Sequence, residues 1–119
     1  TSIMAQATTL ILLPQLSYND NRVVGSSFNG TAQNAASFYM GNKDLQTITW
    51  SLTGVTATIS IQATLAETPS EDDWFIVYNL VATTLSQNSF TNLSGNFVHL
   101  RVIVRNFSAG VIQNIKVSY

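Results

Sequence analysis

Three consecutive carboxylates, Glu71, Asp72 and Asp73, are the densest acidic feature of this sequence. Carboxylates of this kind hold calcium, which takes about six to eight oxygen ligands. Adjacent residues cannot all converge on one ion, and no Asp-x-Asp-x-Asp-Gly spacing accompanies them. The expectation is therefore a solvated turn in which Pro69 and Asp73 set the backbone ahead of Trp74. His99 is the only histidine. A catalytic histidine needs a nucleophile and an orienting group nearby, and no Gly-x-Ser-x-Gly or His-Glu-x-x-His motif supplies them. Glycoside hydrolysis needs two carboxylates facing each other across a cleft. Asp20, Asp44 and Glu67 fall on expected loops, and nothing favours pairing Asp44 with Glu67. No enzyme activity, catalytic residue, metal or cofactor is expected.

The aromatic residues leave more room for binding. Trp50 lies on an inward row and reads as core, whereas Trp74 follows the acidic turn and reads as a plug at one end of the fold. Trp74, Tyr39 or Tyr78 would alternatively serve as a stacking platform for a sugar ring. Phe97 and Ile103 share alternate positions with His99 and Arg101. If all four face outward, that strand presents a partly apolar stripe of the kind that marks a partner surface. The candidate binding residues are thus Trp74, Phe97, His99, Arg101 and Ile103.

These side chains are positioned by strands. Alternation with period two recurs along the chain. Val55, Ala57, Ile59, Ile61, Ala63 and Leu65 point one way, with Thr56, Thr58, Ser60, Gln62 and Thr64 opposite. Ile48, Trp50 and Leu52 form a second inward row, and Val98, Leu100, Val102 and Val104 a third, with His99, Arg101 and Arg105 outward. Val111, Ile115, Val117 and Tyr119 form a fourth, which Gln113 interrupts. Thr53-Gly54 reads as a hairpin, and turns are expected at Ser94–Asn96 and Ser108–Gly110. Met4–Leu13, Arg22–Ser27 and Ser37–Met40 read as strands and Asn29–Ala36 as a loop. No segment carries a helical stripe. Seven or eight short strands imply an all-β, antiparallel two-sheet sandwich, immunoglobulin-like or jelly-roll, formed by residues 1–119 as one domain.

Composition limits the partners. Charged residues make up 9% of the 119, far below the soluble-protein average of about 25%. A chain this neutral is expected to bury surface in an assembly or to rely on Ser, Thr, Asn and Gln for solubility. Five Lys and Arg form no basic patch, so nucleic acid is not an expected partner. The apolar run Leu10–Leu13 is far too short for a membrane span. No basic residue precedes Arg22, so no signal peptide is expected, and a start at Thr1 leads to the expectation that the gene encodes little more than this domain. The absence of cysteine removes disulfides and thiolate chemistry together. Sequons at Asn29, Asn92 and Asn106 carry little weight in a chain rich in Asn, Ser and Thr.

Two stretches, Thr47–Trp74 and Leu93–Ile112 with the closing Ile115–Tyr119, resemble small β-sandwich modules in virion proteins of tailed bacteriophages, especially marine and cyanobacterial ones. The resemblance rests on Leu52-Thr53-Gly54 leading to Ile61-Gln62-Ala63, the turn from Pro69 to Trp74, Gly95-Asn96-Phe97 entering an arginine-bearing strand, and the turn from Phe107 to Gly110. It covers roughly the last 75 residues and leaves the first 45 without a motif. It implies a fibre, baseplate, neck or capsid-decoration component, located in the virion and often present in symmetric copies. The implied partners are the protein itself, as a homo-oligomer, other virion proteins and a host-surface glycan. The same fold leaves a second reading, a carbohydrate-binding module of an adhesin or receptor-binding protein. No catalytic residues are implied.

Overall fold

A computed structural model describes residues 9–35 and 45–119. Within these residues the chain is all-β, with seven strands and one short 3-10 turn. The strands are β1 (Thr9–Leu13), β2 (Leu16–Ser17), β3 (Phe28–Asn29), β4 (Gln33–Asn34), β5 (Leu45–Thr64), β6 (Phe75–Ser94) and β7 (His99–Ser118); the turn is Glu71–Asp73. All belong to one antiparallel sheet, not to two separate hydrogen-bonded sheets. Its main order is β1-β7-β5-β6, and β2, β3 and β4 also pair with β7. The expected many short strands give way to three strands of 20 residues each.

These long strands do not run straight. About 3.3 Å per residue would carry a 20-residue strand roughly 66 Å, yet the longest dimension of the molecule is 47 Å. The ladder bends where register shifts gather, between Leu52 and Ala57 on β5 and opposite Thr53–Thr58 on β7. Left-handed residues cluster there: Gly54 (φ 59°) on β5, Thr84 (φ 45°) on β6, and Asn106 (φ 54°) and Gly110 (φ 87°) on β7. Extra residues in one strand bend it and sharpen its twist. Two contacts show how far the bend goes. The Trp50 and Tyr78 rings stack at 5.5 Å between centroids, although Trp50 pairs with Ser89 and Tyr78 with Ile61, positions about 36 Å apart on a straight strand. Tyr119, beyond the C-terminal end of β7, donates its hydroxyl to the carbonyl of Asn34 at 2.8 Å. Asn34 pairs with His99, at the opposite end of β7. The sheet therefore doubles back on itself.

The concave side of this bend is the core. Ile48, Trp50 and Leu52 are buried before the bend, and Val55, Ala57, Ile59, Ile61 and Ala63 after it, together with Leu100, Val102, Val104, Phe107, Ile112, Ile115 and Val117 of β7 and Leu12, Leu13 and Leu16. The inward rows are thus largely as expected, with definite exceptions. Leu65 lies past the end of β5 and is 61% exposed. Thr64 and Ser60, expected outside, are buried; the Thr64 hydroxyl accepts from the amide of Ala66, and the Ser60 hydroxyl donates to Asn79. On β7 Ile112 is buried in place of Val111, because Ser51 pairs with Asn114 while Leu52 pairs with Ile112. Gln113 is the extra residue of that bulge.

Thr53-Gly54 is not a hairpin but part of the bend within β5, and Ser108–Gly110 likewise stays inside β7. Arg22–Ser27 forms turns and a single Val24–Ser27 bridge, while the expected loop after Phe28 holds β3 and β4. Strand β1 occupies the C-terminal end of the first expected strand; the remainder of Met4–Leu13, like Ser37–Met40, Tyr39 and Asp44, lies outside the described residues. The turns at Ser94–Asn96 and Pro69–Asp73 stand as expected.

The turn before β3 is tied by charge. Arg22 donates from Nε and Nη2 to the two carboxylate oxygens of Asp20, at 3.0 and 2.9 Å, and its backbone amide donates to the same side chain. These hydrogen bonds hold the Asp20 carboxyl down at about 2. A carboxyl depressed in the folded state contributes above its ordinary value, near 3.8, and loses that contribution as pH falls through about 2. An NMR titration should place the Asp20 midpoint near 2, and Arg22→Ala should return it to the ordinary carboxylate range.

Candidate binding site

Three of the five candidate residues, Trp74, His99 and Arg101, lie where the loop after β5 folds over the outer face of β7. The start of β7 pairs with the end of β5, Arg101 opposite Gln62 and His99 opposite Thr64. The Arg101 guanidinium donates from Nε to Gln62 Oε1 at 2.7 Å and from Nη1 to Glu71 Oε2 at 3.0 Å. Its carbon lies 4.3 Å from the centre of the Trp74 ring. The acidic turn thus supplies one carboxylate to Arg101. Asp73 takes another role: its Oδ2 accepts the backbone amide of Ser70 at 2.8 Å and the Ser70 hydroxyl at 3.2 Å. The Glu71 and Asp73 carboxylates thus turn to different partners, and no group of acids and histidines among the described residues is arranged to hold a metal.

His99 contacts the Glu67 carbonyl through Nε2 at 3.1 Å, which ties the same loop to the strand. Phe97 precedes β7 and packs against the core, its ring edge-on to Phe75 at 5.9 Å. Ile103 shares the outward side but is only 6% exposed, outside the main core cluster. The expected apolar outward stripe is consequently covered, and the cluster clamps a loop with its polar groups engaged. Sequence reasoning missed the clamp because it joins Arg101 to Gln62, Glu71 and Trp74, all distant in sequence. Arg101→Ala should cost about 1–2 kcal/mol, from a partly buried cation–π contact and a charge-assisted hydrogen bond, and shift Trp74 emission to longer wavelength. Glu71→Gln, at an exposed carboxylate, should cost less than about 1 kcal/mol. Chemical denaturation followed by fluorescence measures both.

Two of the candidate sugar platforms, Trp74 and Tyr78, are also engaged. The face of Trp74 carries Arg101, and Tyr78 stacks on Trp50. Phe90 of β6 is different, at 62% exposed. With Thr47, Thr49, Ser51, Asn88 and Asn114 it lines an open groove of about 400 Å³. A second groove of about 430 Å³ is lined by Arg22, Phe28, Asn29 and Arg105, where Asn29 Oδ1 accepts from Arg105 Nη1 at 2.9 Å.

Strand β6 is the other surface that the sequence rows did not single out. It lies at the end of the sheet order and, among the described residues, pairs with β5 alone. Its 20 residues include no charged residue, proline or glycine. Edge strands ordinarily carry charged residues or proline to block pairing with another chain. Hydroxyls of β5 fix the amides on its outer face: Thr47 donates to Asn92 Oδ1 at 2.7 Å, Ser51 to Asn88 Oδ1 at 2.6 Å and Ser60 to Asn79 Oδ1 at 2.8 Å. The signal was present in the sequence as a long uncharged run, but only the strand order shows that this run forms an edge. No helix among the described residues is long and apolar enough to cross a membrane. No protein-family model matches the chain, and no curated protein matches it in sequence.

Proposed function

We propose that this chain is a non-enzymatic structural protein of a bacteriophage virion, a fibre, baseplate, neck or capsid-decoration component that acts in particle assembly or host-surface contact. The observation that carries the reading is the long uncharged edge β6, beside outer faces made of hydroxyl–amide pairs. Such surfaces meet copies of themselves without charge repulsion and keep a row of main-chain groups for pairing. The doubled-back sheet further supports a two-layer β-sandwich, made by folding one ladder over instead of packing two separate sheets. Its partners on this reading are the protein itself and other virion proteins.

Size exclusion with light scattering tests the reading. Mass above that of the 13.0 kDa chain at high concentration is the expected result. A strict monomer that also fails to bind virion particles contradicts it.

A second reading, a carbohydrate-binding module, is favoured by the Phe90 groove alone. An exposed ring flanked by hydroxyls and amides suits a neutral sugar. Glycan-array binding lost in Phe90→Ala, with the fold intact, would support it over assembly.

A further inference from the structure

We propose that β6 is a homodimer seam, in which the segment Ser86–Ser94 pairs antiparallel with the same segment of a second copy across a two-fold axis at Phe90. The inference rests on the assembly reading and names its partner. The occupant is argued from the strand itself. The sequence Asn88-Ser89-Phe90-Thr91-Asn92 reads nearly the same in both directions. An antiparallel pair centred on Phe90 sets Phe90 against Phe90, Ser89 against Thr91 and Asn88 against Asn92. A two-fold interface requires this kind of self-complementarity. Aromatic–aromatic and Ser–Thr pairs are among the cross-strand pairs that stabilise a sheet.

The faces agree with the register. Asn88, Phe90 and Asn92 are all exposed, and their β5 partners Ser51, Thr49 and Thr47 lie on the outer side. The carbonyl oxygens of Asn88 and Asn92 each accept a β5 hydroxyl, which orients each amide while its own hydrogens remain to be donated. The bend at Thr84 limits the straight part of β6 to the segment after it, so Val81, in the other half, lies outside the seam. The segment has no charge to attract a charged partner and none to repel its own copy. A seam this short falls well below the roughly 1,600 Å² of a standard interface, so the dimer should dissociate on dilution.

Sedimentation velocity over a concentration series tests the proposal, with wild type, Phe90→Lys, Asn92→Lys and Val81→Lys compared and circular dichroism confirming the fold of each. All three positions are exposed, so two independent seam variants guard against one that misfolds. The expected result is a wild-type monomer–dimer equilibrium that weakens at least tenfold in both seam variants and by less than twofold in Val81→Lys. Wild-type association unchanged by the seam variants overturns the seam but leaves the assembly reading standing. A wild type that stays monomeric at every concentration overturns the seam, and overturns the assembly reading with it when the monomer also fails to bind virion particles. Sugar binding that depends on Phe90 without any change in mass overturns the seam in favour of the carbohydrate reading.

Discussion

Gly110→Ala is expected to destabilise the fold by about 2–4 kcal/mol, a large part of the stability of an ordinary domain. Gly110 sits on β7 at the bend with φ +87°, a region that residues with a Cβ enter only at a cost of about 1–3 kcal/mol. Space adds to the strain. A Cβ at Gly110 would strike the backbone carbonyl of Gly54, and the Thr53 carbonyl oxygen would stand 2.6 Å away. These atoms are main chain, so they cannot move aside as a flexible side chain would. Gly54 has a positive φ too, but nothing lies within 4 Å of a Cβ built there. Gly54→Ala should therefore show the conformational cost alone, about half of the Gly110 effect or less. Urea denaturation of the two variants separates strain from collision, and equal losses would contradict the close crossing of β5 and β7 at the bend.

Trp50→Ala is the second large effect, about 3–5 kcal/mol. The indole is 6% exposed, stacks on Tyr78 across the doubled sheet and donates Nε1–H to Gln87 Oε1 at 3.1 Å. Alanine removes the packing that joins the two halves of the ladder. Trp50→Phe keeps a ring there and loses the hydrogen bond, so it should cost closer to 1 kcal/mol. Stacked aromatic pairs contribute about 0.5–1.5 kcal/mol beyond their burial. A double-mutant cycle with Tyr78→Ala should therefore return a coupling of that size. Additive effects would mean that the two halves do not meet at these rings.

The inward rows were legible because a buried strand face writes itself as period-two alternation. Ile48, Trp50 and Leu52, then Val55, Ala57, Ile59, Ile61 and Ala63, then Leu100, Val102 and Val104 are all in the core. The error at Thr53-Gly54 has a physical source. A phase slip in the alternation, marked by glycine, looks the same whether the chain reverses in a hairpin or bends through a bulge. Pairing decides between them, and pairing is long-range: Leu52 and Val55 both keep partners on β6, Gln87 and Leu85. The short strands β3 and β4 escaped notice because two residues carry no period, and they exist only through β7. The same holds for the site. Trp74, His99 and Arg101 were visible as candidates, but the Arg101 clamp and the edge position of β6 among the described residues depend on which segments become neighbours. Phe90 was overlooked because an isolated aromatic in a polar run has no local pattern to mark its exposure.

In the proposed seam, β6 pairs with its own copy about Phe90. Because the chain contains no cysteine, one introduced thiol reports one position without background. Residues directly opposite in an antiparallel pair have Cα atoms about 4.5–5.5 Å apart, within disulfide reach. Single-cysteine variants across β6, oxidised at a concentration that populates the dimer and resolved on a non-reducing gel, give the register directly. Phe90→Cys should cross-link rapidly and Val81→Cys little. Equal or faster cross-linking at position 81, or none at 90 while the protein still self-associates, would contradict the seam.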